Sequence, residues 1–233
     1  MTAQPIRKCT SPRNSAQATA RLLLEIGAVN ARPGEPYKLT SGRLSPVYVD
    51  CRRIISFPAA REEIMDRTVK LIEHAVEPGS IHMVAGGETA GIPFAAWIAQ
   101  RMNLPMLYVR KELKGFGRMA QIEGHMEEGA RVLLVEDLAT DGGSKIHFVN
   151  ALREAGAEVC DAFVVFHYGI FPESTESLLQ MGVRLLGLTT WWDVLEAAQE
   201  TGAFDEATAT EVRAFLEDPD GWSQDREQGR QQE

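Results

Sequence analysis

The segment running from Val132 through Leu133, Leu134 and Val135 to Glu136-Asp137, and on through Leu138-Ala139-Thr140-Asp141-Gly142-Gly143-Ser144-Lys145, joins two carboxylates to a short run of small residues. Four apolar residues in a row read as a buried strand, and ligands of open α/β sheets bind just beyond strand ends of this kind. Gly142 and Gly143 let backbone amides turn inward, and Ser144 adds a hydroxyl where a helix starts. Unpaired amides at a helix N-terminus, set in a curved loop, form a pocket for an anion, and phosphate suits it.

Carboxylates repel phosphate, so Glu136 and Asp137 need a reason to stand beside such a pocket. A ligand carrying a sugar next to its phosphate supplies one, because vicinal hydroxyls donate to carboxylates. The same acids stabilise positive charge on a ribose ring whose anomeric bond is breaking. Neighbouring residues of a regular strand point to opposite faces, so both acids reach one ligand only if the strand ends there. Taken alone, the pair could equally cap a turn that the glycines shape. The strand before it and the helix after it favour the ligand reading.

A second cluster lies upstream. Arg110, Lys111, Lys114 and Arg118 surround Gly115 and Gly117 in a chain of net charge −9. A charge run is ordinarily a solvated face. Two glycines and a nearby phosphate pocket favour a mobile cationic flap that closes over a polyanion and excludes water.

These groups need a scaffold. Ser15 to Val29 has the spacing of an amphipathic helix with Ser15 as its N-cap, and Tyr37 to Asp50 reads as two short strands around a turn at Thr40-Ser41-Gly42-Arg43. Pro58 opens a long helix reaching about Val76. Strands over Ile81–Ala85, Met106–Arg110, Val132–Val135, Val159–His167 and Val183–Leu188 then alternate with helices over Ala95–Met102, Ser144–Ala155 and Glu173–Gln180. Such alternation predicts a parallel sheet covered on both faces. Trp191 to about Glu217 reads as helical. The domain is expected to span 15–218, between a flexible tail over 1–14 and a polar C-terminal tail over 219–233 that is disordered from Ser223.

Composition narrows the function. A pI near 5.2 argues against a general nucleic-acid or membrane-surface binder. Cys9, Cys51 and Cys160 are scattered without metal-ligand spacing and read as ordinary thiols, and no apolar run approaches the roughly 20 residues that span a bilayer. The opening residues lack the apolar stretch of a secretory signal, so a cytoplasmic location is the expectation.

The acid-pair segment resembles the signature by which type I phosphoribosyltransferases bind phosphoribosyl pyrophosphate (PRPP). Leu39-Thr-Ser-Gly-Arg-Leu-Ser-Pro46, Gly87-Glu-Thr-Ala-Gly-Ile-Pro93, Tyr108-Val-Arg-Lys-Glu-Leu-Lys114 and Gln121-Ile-Glu-Gly124 resemble the orotate phosphoribosyltransferase family in particular, in order from Ser15 to Leu188. The resemblance implies the type I phosphoribosyltransferase fold: a central, mostly parallel sheet flanked by helices, with an N-terminal helix-and-strand extension and a flexible catalytic hood. It implies that Glu136 and Asp137 hold the ribose hydroxyls, and that Leu138, Ala139 and the Thr140–Ser144 loop hold the 5′-phosphate. Arg110, Lys111 and Lys114 would bind pyrophosphate, with Lys114 coupling closure to chemistry. Thr140, Tyr48 and His167 would contact orotate. Magnesium would be held mainly by PRPP oxygens. The active form would be a homodimer whose hood crosses to the partner site.

Three family positions differ. Thr40 and Phe116 stand where many members carry Lys and His, and His167 stands where an Arg commonly grips the orotate carboxylate. Transfer to another nucleobase, or a non-catalytic PRPP-binding regulator, are the alternatives. The acidic balance and the lack of a helix-turn-helix pattern argue against a DNA-binding regulator.

Overall fold

A computed structural model describes residues 12–39, 41–114, 121–140 and 143–230. The chain opens with helix α1 (Arg13–Glu25), then strands β1 (Val29–Ala31), β2 (Tyr37–Lys38), β3 (Leu44–Ser45) and β4 (Val47–Val49), followed by a 3-10 turn over Cys51–Ser56. Helix α2 (Pro58–Ala75) has its proline in the first turn, where a missing N–H costs nothing. Next come β5 (Met83–Gly87), α3 (Gly91–Met102), β6 (Met106–Val109) and β7 (Ile122–Glu123). They lead into β8 (Arg131–Ala139), α4 (Gly143–Glu154), β9 (Glu158–His167), α5 (Glu173–Gln180) and β10 (Arg184–Thr190). Helices α6 (Trp191–Thr201), α7 (Glu206–Glu217) and α8 (Pro219–Arg230) close the chain.

The main sheet has the order β10-β9-β8-β5-β6-β7, parallel except for β7. Its central strands read as unbroken apolar runs because each faces two cores. Val84, Leu133, Val135, Phe163 and Val165 point into one buried cluster, which takes in α1, α2, α3, α6 and α7. Their neighbours Met83, Ala85, Val132, Leu134, Ala162 and Val164 point into a second, built with α4 and α5. Period-two alternation thus sends adjacent apolar residues to opposite helical layers. This is the expected sheet with helices on both faces.

The N-terminal extension forms two hairpin-like pairs, β1 with β4 and β2 with β3, both antiparallel. Helix α1 starts at Arg13 with Pro12, not Ser15, at its N-cap, and ends at Glu25. The 13 and 14 positions therefore belong to a helix, while the rest of the expected N-terminal tail lies outside the described residues apart from Pro12.

The C-terminal end differs from the expectation more sharply. Residues 219–230, read as a polar tail, form α8 and dock on β3. Trp222, only 8% exposed, packs edge-on against Phe215 and donates from Nε1 to Glu211. Ser223 is buried too, and its hydroxyl accepts from the Leu44 N–H at 2.9 Å. One indole supplies the apolar burial that the segment's polar composition conceals. No helix among the described residues is long and apolar enough to cross a membrane.

Candidate active site

Glu136 and Asp137 lie on β8 itself, since that strand continues to Ala139 rather than stopping at Val135. What stops is its neighbour. Pairing of β5 with β8 ends at Gly86 and Val135, whereas pairing of β9 with β8 runs on to Ala139 and His167. From Glu136 onward β8 has one neighbour only, and both carboxylates border the gap this leaves. They line the same cavity, of about 570 Å³.

Glycine keeps the gap open. A Cβ on Gly87 would stand 2.5 Å from Glu136 Oε1 and 2.6 Å from Phe148 Cε2, and one on Gly91 would strike the Val135 carbonyl oxygen. The start of α3 can press against β8 only because those side chains are missing. Between them the Glu88–Thr89 peptide is cis.

The two acids have different surroundings. Glu136 is buried; its Oε2 accepts from the Ser144 hydroxyl at 2.9 Å and from Lys145 Nζ at 3.3 Å. Lys145 itself is buried in the first turn of α4. Asp137 is half-buried and has no such side-chain partner among the described residues. Burial first, and then the charge of Glu136, push its carboxyl from 3.8 up to about 6, against the pull of backbone N–H donors and Lys145. A site with one clamped acid and one acid titrating near neutrality has a defined division of labour.

Opposite the acids, the cavity wall carries Arg52, Glu88, Thr89 and Lys111, and the start of α4 contributes Ser144. Glu88 Oε2 accepts the Lys111 N–H at 2.8 Å, so the base of the cationic segment is tied to the glycine turn. His147 on α4 lies 3.0 Å from the Lys111 carbonyl and 3.1 Å from Gln121 Nε2, touching both stems of the loop. Of the expected pyrophosphate ligands, Lys111 lines the cavity. Arg110 instead pairs with Glu123 at 3.3 Å, and Lys114 is exposed outside the cavity wall. Gly115, Phe116, Gly117 and Arg118 lie outside the described residues, as do Thr40, Asp141 and Gly142 of the other expected segments.

A second cavity, of about 540 Å³, adjoins the first and shares Leu138 and Thr140 with it. Aromatic rings of Tyr37, Tyr48, Tyr168 and Phe171 line it, with Arg32, Lys38 and Arg43 as charged residues; no carboxylate lines it among the described residues. Tyr48 and Thr140, two of the three residues expected to contact the base, both line this second cavity.

His167 does not. It follows the strand alternation to the opposite face, lines a different cavity beside α5, and bonds Ser174 Oγ through Nε2 at 3.0 Å. Tyr168, the next residue, takes the place expected for His167. Ala139 likewise turns into the core, and its carbonyl accepts the Tyr168 N–H, so it gives the site shape rather than a polar contact. Sequence reading assigned no role to Lys145, Glu88 or Arg52. The first stands next to Ser144 in the key segment, where a lysine at the inward start of a helix is itself a signal.

The sequence profile of the phosphoribosyl transferase domain matches residues 54–176. An orotate phosphoribosyltransferase of Cereibacter sphaeroides is 55% identical over 207 residues, 89% of each chain. Among solved structures, orotate phosphoribosyltransferase from Aeropyrum pernix superposes with a TM-score of 0.66 at 33% identity, covering 80% of this chain and 99% of that one. UMP synthase of Leishmania donovani superposes at 0.76 with 27% identity over 88% of this chain, which spans only 42% of that longer protein. The acid pair, the glycine turn and the two adjoining cavities are thus features of a chain that belongs to the orotate phosphoribosyltransferase family.

Proposed function

We propose that this protein transfers the 5-phosphoribosyl group of PRPP to orotate, giving orotidine 5′-monophosphate and pyrophosphate, a step of pyrimidine biosynthesis. One observation carries the reading: a cavity bordered by two acids opens, across Leu138 and Thr140, into an aromatic cavity whose charged lining residues, among those described, are all cations. The first suits a ribose phosphate and the second a flat anionic base.

In this reading Asp137 accepts from the ribose hydroxyls and stabilises the positive charge that grows on the ring as the anomeric C–O bond breaks. Glu136, held by Ser144 and Lys145, supplies its remaining lone pairs to the same face. Because the Ser144 hydroxyl is committed to Glu136, the 5′-phosphate is received by amides at the start of α4 and in the loop before it. The base nitrogen attacks the anomeric carbon from the aromatic cavity, and pyrophosphate leaves toward Lys111. Closure of the loop brings Lys114 and Arg110 onto the departing charge and shuts out water.

Magnesium fits the donors present. Asp137 and Glu88 offer carboxylates on the cavity wall, and beside them magnesium would be held largely by substrate oxygens. When bound, the ion offsets pyrophosphate charge. A homodimer, with each loop closing over the partner's site, and a cytoplasmic location complete the reading.

The test is direct. Protein mixed with orotate, PRPP and magnesium is expected to consume orotate and release one pyrophosphate for each orotate lost. Turnover of adenine, guanine or uracil with orotate left untouched would overturn the choice of base.

A further inference from the structure

Arg43 differs from the other two cations of the aromatic cavity in how it is held. Arg32 lies flat on Tyr37, 3.8 Å from the ring centroid, and is half exposed beside Glu35. Lys38 is exposed on a flexible stem. Arg43 has 27% of its side chain exposed, stacks over Phe171 at 4.6 Å, and donates from Nε to Asp220 Oδ1 at 2.8 Å, with Nη2 2.5 Å from the same oxygen in an ion pair. Asp220 belongs to α8. The same helix fixes the next residue, since the Ser223 hydroxyl accepts the Leu44 N–H. The C-terminal helix therefore grips this part of the cavity wall at two consecutive residues.

We propose that Arg43 is the group that receives the carboxylate of the acceptor base, and that α8, through Asp220, is the element that positions it; this rests on the reading of the reaction given above. Asp220 occupies one edge of the guanidinium. Nη1 makes no hydrogen bond among the described residues, which leaves a donor for a second carboxylate. Stacking on Phe171 and the anchor on α8 remove rotamer freedom before the ligand arrives, so less is lost on binding. Asp220 is 67% exposed, and solvent screens its charge, so it orients Arg43 more than it neutralises it. A base that lacks the carboxylate would leave Nη1 of Arg43 unfilled, and this would set the preference for orotate over uracil.

Steady-state kinetics of three variants test the proposal. Arg43→Gln is expected to raise KM for orotate about tenfold or more, the scale of a lost charge-assisted contact, while KM for PRPP stays within about twofold. Arg43→Lys should fall between wild type and Arg43→Gln, because charge survives but the fork does not. Asp220→Asn, at an exposed position, should raise KM for orotate about threefold with kcat and KM for PRPP little changed. Inhibition by uracil, which has the same ring without the carboxylate, should be unaffected in all three. An unchanged orotate KM in Arg43→Gln, or parallel losses for orotate, PRPP and uracil, would overturn the assignment. An unchanged orotate KM in Asp220→Asn would remove the positioning role of α8. If wild-type protein does not use orotate at all, the underlying reaction is wrong and the proposal falls with it; if it does and Arg43→Gln is silent, only this proposal fails.

Discussion

Lys145 Nζ stands 3.3 Å from Glu136 Oε2, with 3% and 9% of the two side chains exposed. A buried pair of this kind is weak as a net source of stability but severe when broken, because one charge is then left without its partner. Replacing Lys145→Met should therefore cost about 3 kcal/mol, the lower end for such a loss, since the Ser144 hydroxyl still serves Glu136. Urea unfolding at pH 7.5 measures it, and the double variant with Glu136→Gln should recover most of the loss. An unchanged midpoint in the single variant would contradict the role of Lys145 as the buried partner of Glu136.

Asp137 gives the site a pH dependence with a definite sign. Its carboxyl is pushed up to about 6, so kcat/KM for PRPP should rise between pH 5 and 7 with a midpoint near 6. A folded-state value above the unfolded one means that the ionised acid opposes folding. Asp137→Asn should therefore stabilise the protein at pH 7.5, by on the order of 1–2 kcal/mol after allowing for solvent screening, and the gain should fade as pH falls from about 6 to about 4. The same variant should use PRPP poorly. Stability gained together with wild-type kinetics would contradict the ribose role.

Gly87 can be tested without touching any charged group. A methyl there has to displace Glu136 or the Phe148 ring, both within 2.6 Å of the added carbon. Gly87→Ala is expected to lower kcat/KM for PRPP at least tenfold, roughly the effect of misplacing one binding group. Kinetics at the wild-type level would show that the acid pair tolerates movement.

Much of this arrangement was legible from residue order. The apolar runs of β8 and β9 identified a doubly covered sheet, and Glu136-Asp137 after such a run were singled out as a pair that the structure places on one cavity. What escaped depends on neighbours that sequence does not display. Both acids reach one cavity because the pairing of β5 with β8 stops at Val135, four residues before that of β9 stops at Ala139, a fact of register that residue order does not display. His167 and Tyr168 are adjacent, so a one-residue difference in facing decides which enters the base cavity. The order of 219–230 hangs on Trp222 meeting Phe215, which no polarity pattern reports.

Lys114 is exposed and outside the cavity wall. If loop closure carries it to the pyrophosphate, Lys114→Ala should lower kcat by about two orders of magnitude, the scale of a transition-state charge contact, and leave the unfolding midpoint within about 0.5 kcal/mol of wild type. Loss of stability without loss of rate would reverse the assignment.

A crystal structure with orotidine 5′-monophosphate bound probes both cavities at once. The expected nucleotide lies across Leu138 and Thr140, with its phosphate at the start of α4, its ribose hydroxyls on Asp137, and its base among Tyr48, Tyr168 and Arg43. A nucleotide bound elsewhere, for example in the cleft between His82 and His125 at the other end of the sheet, would contradict the two-cavity site.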